Sequence, residues 1–149
     1  SAFFIRGVFE TVKKLRWVPD IIHCQGWFSG LAPLYLSTLY KDDPALSGAK
    51  VVFSIYDMTP ETPFGQDLTQ VLGYDEIKHE LLDGSALKRD DLYKLILSYV
   101  DGLLFATSDV SDETRESAAK LDLPVMDYDN TEEAVEAVDA FYDQLLGKK

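Results

Sequence analysis

The sequence is short of the residues that build disulfide-stapled, metal-bound and nucleic-acid-binding proteins. A single cysteine, Cys24, rules out an intramolecular disulfide and any cysteine-rich metal site. It stands in the apolar run Ile21-Ile22-His23-Cys24 and reads as a buried, unreactive thiol. His23 and His79 are the only histidines, and neither belongs to a His-x-x-x-His or carboxylate-bracketed metal motif. No metal or cofactor is expected. Basic residues are scarce, with 14 Lys and Arg against 26 Asp and Glu and a net charge of −12. That balance excludes nucleic acid as a partner, because binding it requires Lys and Arg to replace counterions. It argues equally against an anionic membrane surface. Long apolar runs are missing too: none approaches the roughly 20 residues needed to cross a bilayer. Arg6 and Glu10 follow Phe3, Phe4 and Ile5 too closely for a signal peptide. A cytoplasmic address is therefore expected. No Gly-x-Ser-x-Gly elbow occurs, and no Gly-rich loop between a strand and a helix offers a phosphate cradle.

What is present is an alternation of two periodicities. Apolar residues recur at helical spacing in Phe3–Leu15, with Phe4, Val8, Val12 and Leu15 on one face. Pro19 breaks that helix, and Asp20–Cys24 is a short β-branched run. Trp27–Tyr40 returns to helical character until the polar turn Lys41–Pro44. Lys50–Tyr56 is the clearest strand. Asp57–Gly84, punctuated by Pro60, Pro63, Gly65 and Gly73, reads as an irregular loop with one short helix at Tyr74–Leu82. Ala86–Val100 is an amphipathic helix, Gly102–Thr107 a strand, and Ser111–Leu121 a helix that Ser111 caps. Leu123–Tyr128 is a last strand. Thr131 caps a final helix to Leu146, with Glu132 and Glu133 in its positive first turn.

Strands that are short, apolar on both faces and separated by helices predict a parallel sheet covered on both sides. The expected fold class is thus α/β, an open, doubly wound parallel sheet. At 149 residues the chain suits one such domain. It opens on Ser1 inside helical periodicity, and a trimmed or processed piece is expected.

Three stretches carry a family resemblance. The first is Pro19-Asp20-Ile21-Ile22-His23-Cys24-Gln25-Gly26-Trp27-Phe28, running on to Leu31-Ala32-Pro33-Leu34-Tyr35-Leu36. The second is Lys50-Val51-Val52-Phe53-Ser54-Ile55-Tyr56-Asp57, and the third is Tyr99-Val100-Asp101-Gly102-Leu103-Leu104-Phe105-Ala106-Thr107-Ser108. In order and spacing, as far as about Ala118, they resemble the N-terminal domain of the glycogen/starch synthase family, which has the two-domain GT-B fold. The likeness extends to short, single-domain synthase-like proteins of the Bacteroides group. It implies glucosyl transfer from a nucleotide-glucose to an α-1,4-glucan, with this chain as an incomplete, acceptor-side half.

The resemblance also implies a binding site, formed by His23, Gln25, Gly26, Trp27, Phe28, Tyr56 and Asp57. Several of these depart from the family pattern. Where the family has Pro-Asp-Ile-Ile-His-x-His-Asp-Trp-His, the last three changes give Gln25, Gly26 and Phe28. The family's final His contacts the reacting glucosyl unit, and Phe28 has no hydrogen bond to offer a sugar hydroxyl. Tyr56-Asp57 replaces a His-Asn pair and keeps hydrogen-bonding capacity. The family's Lys-x-Gly-Gly loop and its nucleotide-binding second domain have no counterpart within these 149 residues, so this stretch by itself is expected to offer the diphosphate charge no stabilising cation. A chain inactive by itself is expected, with no catalytic residue assigned.

Blander explanations stand beside these. His23 reads first as a core histidine with its hydrogen bonds satisfied and Trp27 first as helix-to-sheet packing, and Asp57 can be read as the start of a turn. Asp57, Glu61 and Asp67 share a loop and read as solvated acids. Competing functions are a non-catalytic glucan-binding or regulatory module, self-associating through exposed sheet edges, and a small flavodoxin-like or response-regulator-like protein. The last would need acidic residues after the first strand, where His23-Cys24-Gln25 stands.

Overall fold

The computed structural model describes residues 2–25, 29–55, 89–106, 110–127 and 132–147. In chain order these form α1 (Ala2–Lys14), β1 (Ile21–Gln25), α2 (Leu31–Ser37), β2 (Lys50–Ile55), α3 (Arg89–Leu97), β3 (Gly102–Phe105), α4 (Asp112–Lys120), β4 (Val125–Asp127) and α5 (Glu132–Leu145). The four strands make one parallel sheet in the order β1-β2-β3-β4. This is the α/β, Rossmann-like parallel sheet that the alternating pattern requires.

Because side chains alternate across a strand, each strand feeds two cores. Ile22, Cys24, Val51, Phe53, Ile55, Leu103 and Phe105 point to one face, where they meet α1, α2, α3 and α4. Consecutive strands step across the sheet in one direction, so same-handed crossovers place α2, α3 and α4 on that face. Val52 and Leu104 point the other way and pack against Phe141 of α5, with Ile21, Met126, Val138, Tyr142 and Leu145 around them. Both faces of the sheet are therefore covered, and the central strand β2 is buried from Val51 to Ile55.

Local chemistry sets several boundaries. The Ser111 side chain accepts the Thr114 N–H at 3.2 Å, and Asp112 and Glu113 fill the positive first turn of α4. Helix α2 stops at Ser37, short of Tyr40: the Thr38 hydroxyl bonds back to the Leu34 carbonyl at 2.7 Å, and the Tyr40 N–H reaches the Tyr35 carbonyl. Helix α3 ends at Leu97, and the Asp101 N–H and carboxylate then meet the Val51 carbonyl and N–H, each at 2.8 Å. The loop and short helix expected over Asp57–Gly84 and the cap at Thr131 lie outside the described residues.

One expectation is corrected. Helix α1 turns Ile5, Phe9 and Val12 inward, while Phe4, Val8 and Leu15 are exposed. Residues 4, 5, 8, 9, 12 and 15 form two overlapping apolar stripes, and a partner chooses between them. That partner is Tyr40, whose ring meets Phe9 edge-on at 5.1 Å and whose hydroxyl donates to Glu10 at 2.9 Å.

Candidate functional site

Open parallel sheets collect ligands at the carboxyl ends of their strands. The α5 face of this sheet has a cleft of about 260 Å³ there, lined by His23, Gln25, Ser54, Leu104, Val135, Val138, Asp139 and Tyr142. Its floor follows from the strand register. Gln25 pairs with Ser54 and Ser54 with Leu104, so these three stand side by side on the face that α5 covers. His23 lies two residues earlier on the same face. Helix α5 supplies the opposite wall, with Val135, Val138 and Asp139 in its first two turns.

His23 is the polar centre of the cleft. Its Nε2 lies 2.5 Å from Ser54 Oγ, and its Nδ1 is hydrogen-bonded with the Tyr142 hydroxyl. The His23 and Tyr142 rings meet edge to face at 5.7 Å. A neutral imidazole donates from one nitrogen and accepts at the other, and either hydroxyl can take the matching role. Ser54 is only 2% exposed, so this bond answers a polar group that would otherwise be stranded in the sheet.

Burial lowers the pKa of His23 below its ordinary value of 6.5 and keeps the ring neutral at pH 7. The unfolded chain, with its histidine at the ordinary value, binds the extra proton first as pH falls. Stability from His23 is therefore complete above about pH 6.5 and is lost on acidification, at up to about 1.4 kcal/mol per pH unit. Urea midpoints between pH 7.5 and 5.5 should show this loss, and a His23→Gln variant should lack that component. An equal slope in both chains would contradict it. Cys24, by contrast, faces the larger core, where burial pushes its thiol up to about 12 and leaves it unreactive.

Of the residues expected to form the site, the structure brings His23 and Gln25 together. Gly26, Trp27, Phe28, Tyr56 and Asp57 lie outside the described residues, immediately after β1 and β2. Sequence reasoning missed Ser54, Asp139 and Tyr142. Ser54 carried a signal, since it is the lone polar residue inside Val51–Ile55. Tyr142 carried none, being 119 residues from its partner.

Asp139 is the only charged side chain among the described residues lining the cleft. Hydroxyl, amide, imidazole and carboxylate groups set against Leu104, Val135 and Val138 suit an uncharged, hydroxyl-rich ligand. Among the described lining residues there is no cation for a phosphate. Among the described residues no group of His, Cys, Asp and Glu could hold a metal ion, and no helix is long and apolar enough to cross a membrane.

Sheet and cleft together define a Rossmann-like α/β frame with a cleft at the carboxyl ends of β1 and β2. The family model of the starch synthase catalytic domain matches residues 1–106, and the chain belongs to that family. It is similar to the glycogen synthase of Clostridium perfringens, with 41% identity over 75 residues, 50% of this chain and 16% of that relative. The glycogen synthase of Chlorobaculum parvum is 34% identical over 101 residues, 66% of this chain and 20% of the relative. That of Koribacter versatilis is 44% identical over 71 residues, 48% of this chain and 14% of the relative. The matched stretches thus span a fifth or less of these relatives. No solved structure matches. The family match ends before α4, β4 and α5, short of the Ala118 limit read from the motifs.

Proposed function

We propose that this chain is the acceptor-side domain of a glucan-synthesising glycosyltransferase, binding the hydroxyl groups of an α-glucan and transferring no sugar by itself. The observation that carries this reading is the strand floor of the cleft, His23, Gln25 and Ser54, which is hydroxyl-compatible, in a cleft with no cation among its described lining residues. Donor chemistry needs groups that stabilise a departing nucleotide diphosphate, and this cleft is built for an uncharged partner. Family membership supports the glucan as that partner. Gly26, Trp27, Phe28, Tyr56 and Asp57 extend the contact set past the ends of β1 and β2. Gln25, Gly26 and Phe28 stand where the family pattern has His, Asp and His, which supports the loss of chemistry more than the loss of binding.

A second reading is a non-catalytic interaction module that uses this frame for protein contacts. The exposure of Phe4, Val8, Leu15, Trp17 and Val18 favours it, because five large apolar residues crowd one short segment. One titration separates the two. The chain is titrated calorimetrically with maltohexaose and glycogen, and separately with ADP-glucose and UDP-glucose. The acceptor-side reading expects saturable glucan binding that weakens about tenfold on Trp27→Ala, the loss of one sugar-stacking ring, and no binding of either nucleotide sugar. Failure of every ligand would transfer the assignment to the interaction module. Tight nucleotide-sugar binding would sink both.

A further inference from the structure

Each ring nitrogen of a histidine makes one hydrogen bond, and both of His23's are taken within the chain. A ligand that reaches His23 must therefore displace Ser54 or Tyr142. Ser54 is the costlier one to displace, because its hydroxyl is buried in the central strand at 2% exposure and would lose its partner there. Tyr142 is half-buried on a helix with a slighter hold on the sheet. Among the described residues, only Val52, Leu104 and Phe141 are buried in the core beneath α5, and the core on the opposite face is several times larger. The family match, moreover, covers the strands that supply His23 and Ser54 and stops at residue 106, before α5.

We propose that α5 is an autoinhibitory lid, its Tyr142 hydroxyl occupying the hydrogen-bonding position on His23 Nδ1 that a ligand hydroxyl takes when the helix is displaced. The proposal rests on the cleft being a site for hydroxyl-rich ligands. It assigns α5 a role distinct from a fixed wall: the chain carries its own competitor for the site. The chemistry of the exchange is even-handed. A sugar hydroxyl, like a phenol, can donate to or accept from imidazole, so displacement changes the partner of Nδ1 and leaves the Nε2–Ser54 bond in place.

The test uses the full chain and its Tyr142→Phe variant, which keeps the ring and removes the competing hydroxyl. Maltohexaose affinity is measured by calorimetry, and amide hydrogen exchange over residues 132–147 is measured with and without the sugar. A lid predicts binding about fivefold tighter in Tyr142→Phe, the factor expected from removing one hydrogen bond from the closed state. It also predicts that saturating maltohexaose speeds exchange in α5 of the unsubstituted chain while slowing it in β1 and β2. Equal or weaker binding by Tyr142→Phe overturns the proposal, as does protection of α5 by the sugar. If neither chain binds maltohexaose, the glucan reading fails and exchange alone decides the lid. About fivefold faster exchange in α5 of Tyr142→Phe, the same shift of the closed state, supports a Tyr142 latch, and unchanged exchange overturns it.

Discussion

Phe53→Ala is expected to lower the stability of the chain by about 3–5 kcal/mol, the usual cost of emptying a large aromatic site in a core. Phe53 has no exposed surface and lies in β2, between β1 and β3. Its ring sits against Tyr93 of α3 at 6.4 Å, so the cavity would open between the central strand and a helix that crosses over it. Neither neighbour can close the gap easily: β2 is hydrogen-bonded on both sides, and Leu95, Ile96 and Leu97 are each about 1% exposed. Against a total stability of about 5–15 kcal/mol, such a loss brings the domain close to unfolding. Urea denaturation followed by far-ultraviolet circular dichroism measures it. Phe4→Ala is the matched control, because Phe4 is 64% exposed and its truncation should stay within about 0.5 kcal/mol. Similar losses from the two would mean that the sheet is not the stability centre described above.

The contrast between Phe4 and Phe53 also marks what patterning can deliver. Val51–Ile55 and Gly102–Phe105 are nearly continuous apolar runs between helical segments, and only a parallel sheet buried on both faces uses such runs. Their identity as strands, and with it the fold class, was legible. Helix α1 was legible as a helix but not in its orientation. Its two apolar stripes share Val12, and periodicity cannot say which one meets Tyr40. The short reach of α2 was hidden for a related reason, because Thr38 and Tyr40 end it through bonds to Leu34 and Tyr35 that composition does not encode.

The candidate site was legible on one side. The motif around Pro19–Phe28 places His23 and Gln25 at the end of a strand, and the sheet register then sets Gln25 beside Ser54. The α5 wall was illegible, because Val135, Val138, Asp139 and Tyr142 have an ordinary amphipathic spacing that would suit any surface helix. A sequence reading could see that His23 needs partners in a hydrophobic strand. It could not see that one of them comes from the far end of the chain and lies over the cleft.

Gly102→Val is expected to unseat that helix. Gly102 sits at the start of β3, level with Val52 and so with His23. A Cβ at this position would lie 2.8 Å from Leu145 Cδ1 and 3.0 Å from Phe141 Cζ, both on α5. The two obstacles differ. Leu145 Cδ1 is the tip of a half-buried side chain and can rotate away, whereas the Phe141 ring is 6% exposed and fixed in the smaller core. Gly102→Ala therefore asks for a modest adjustment, and the reduced freedom of the unfolded chain offsets part of its cost. Valine adds two methyl groups in the same direction and must push α5 off the sheet, at about 1–3 kcal/mol. The loss should be local as well as global: hydrogen exchange should accelerate over residues 132–147 while Lys50–Ile55 stays protected. Leu145→Ala in the Gly102→Ala background should recover stability relative to the sum of the two single changes, because the side chain that collides is then gone. Strict additivity of that pair would show that α5 does not rest in the Gly102 notch, and the cleft above it would lose its second wall.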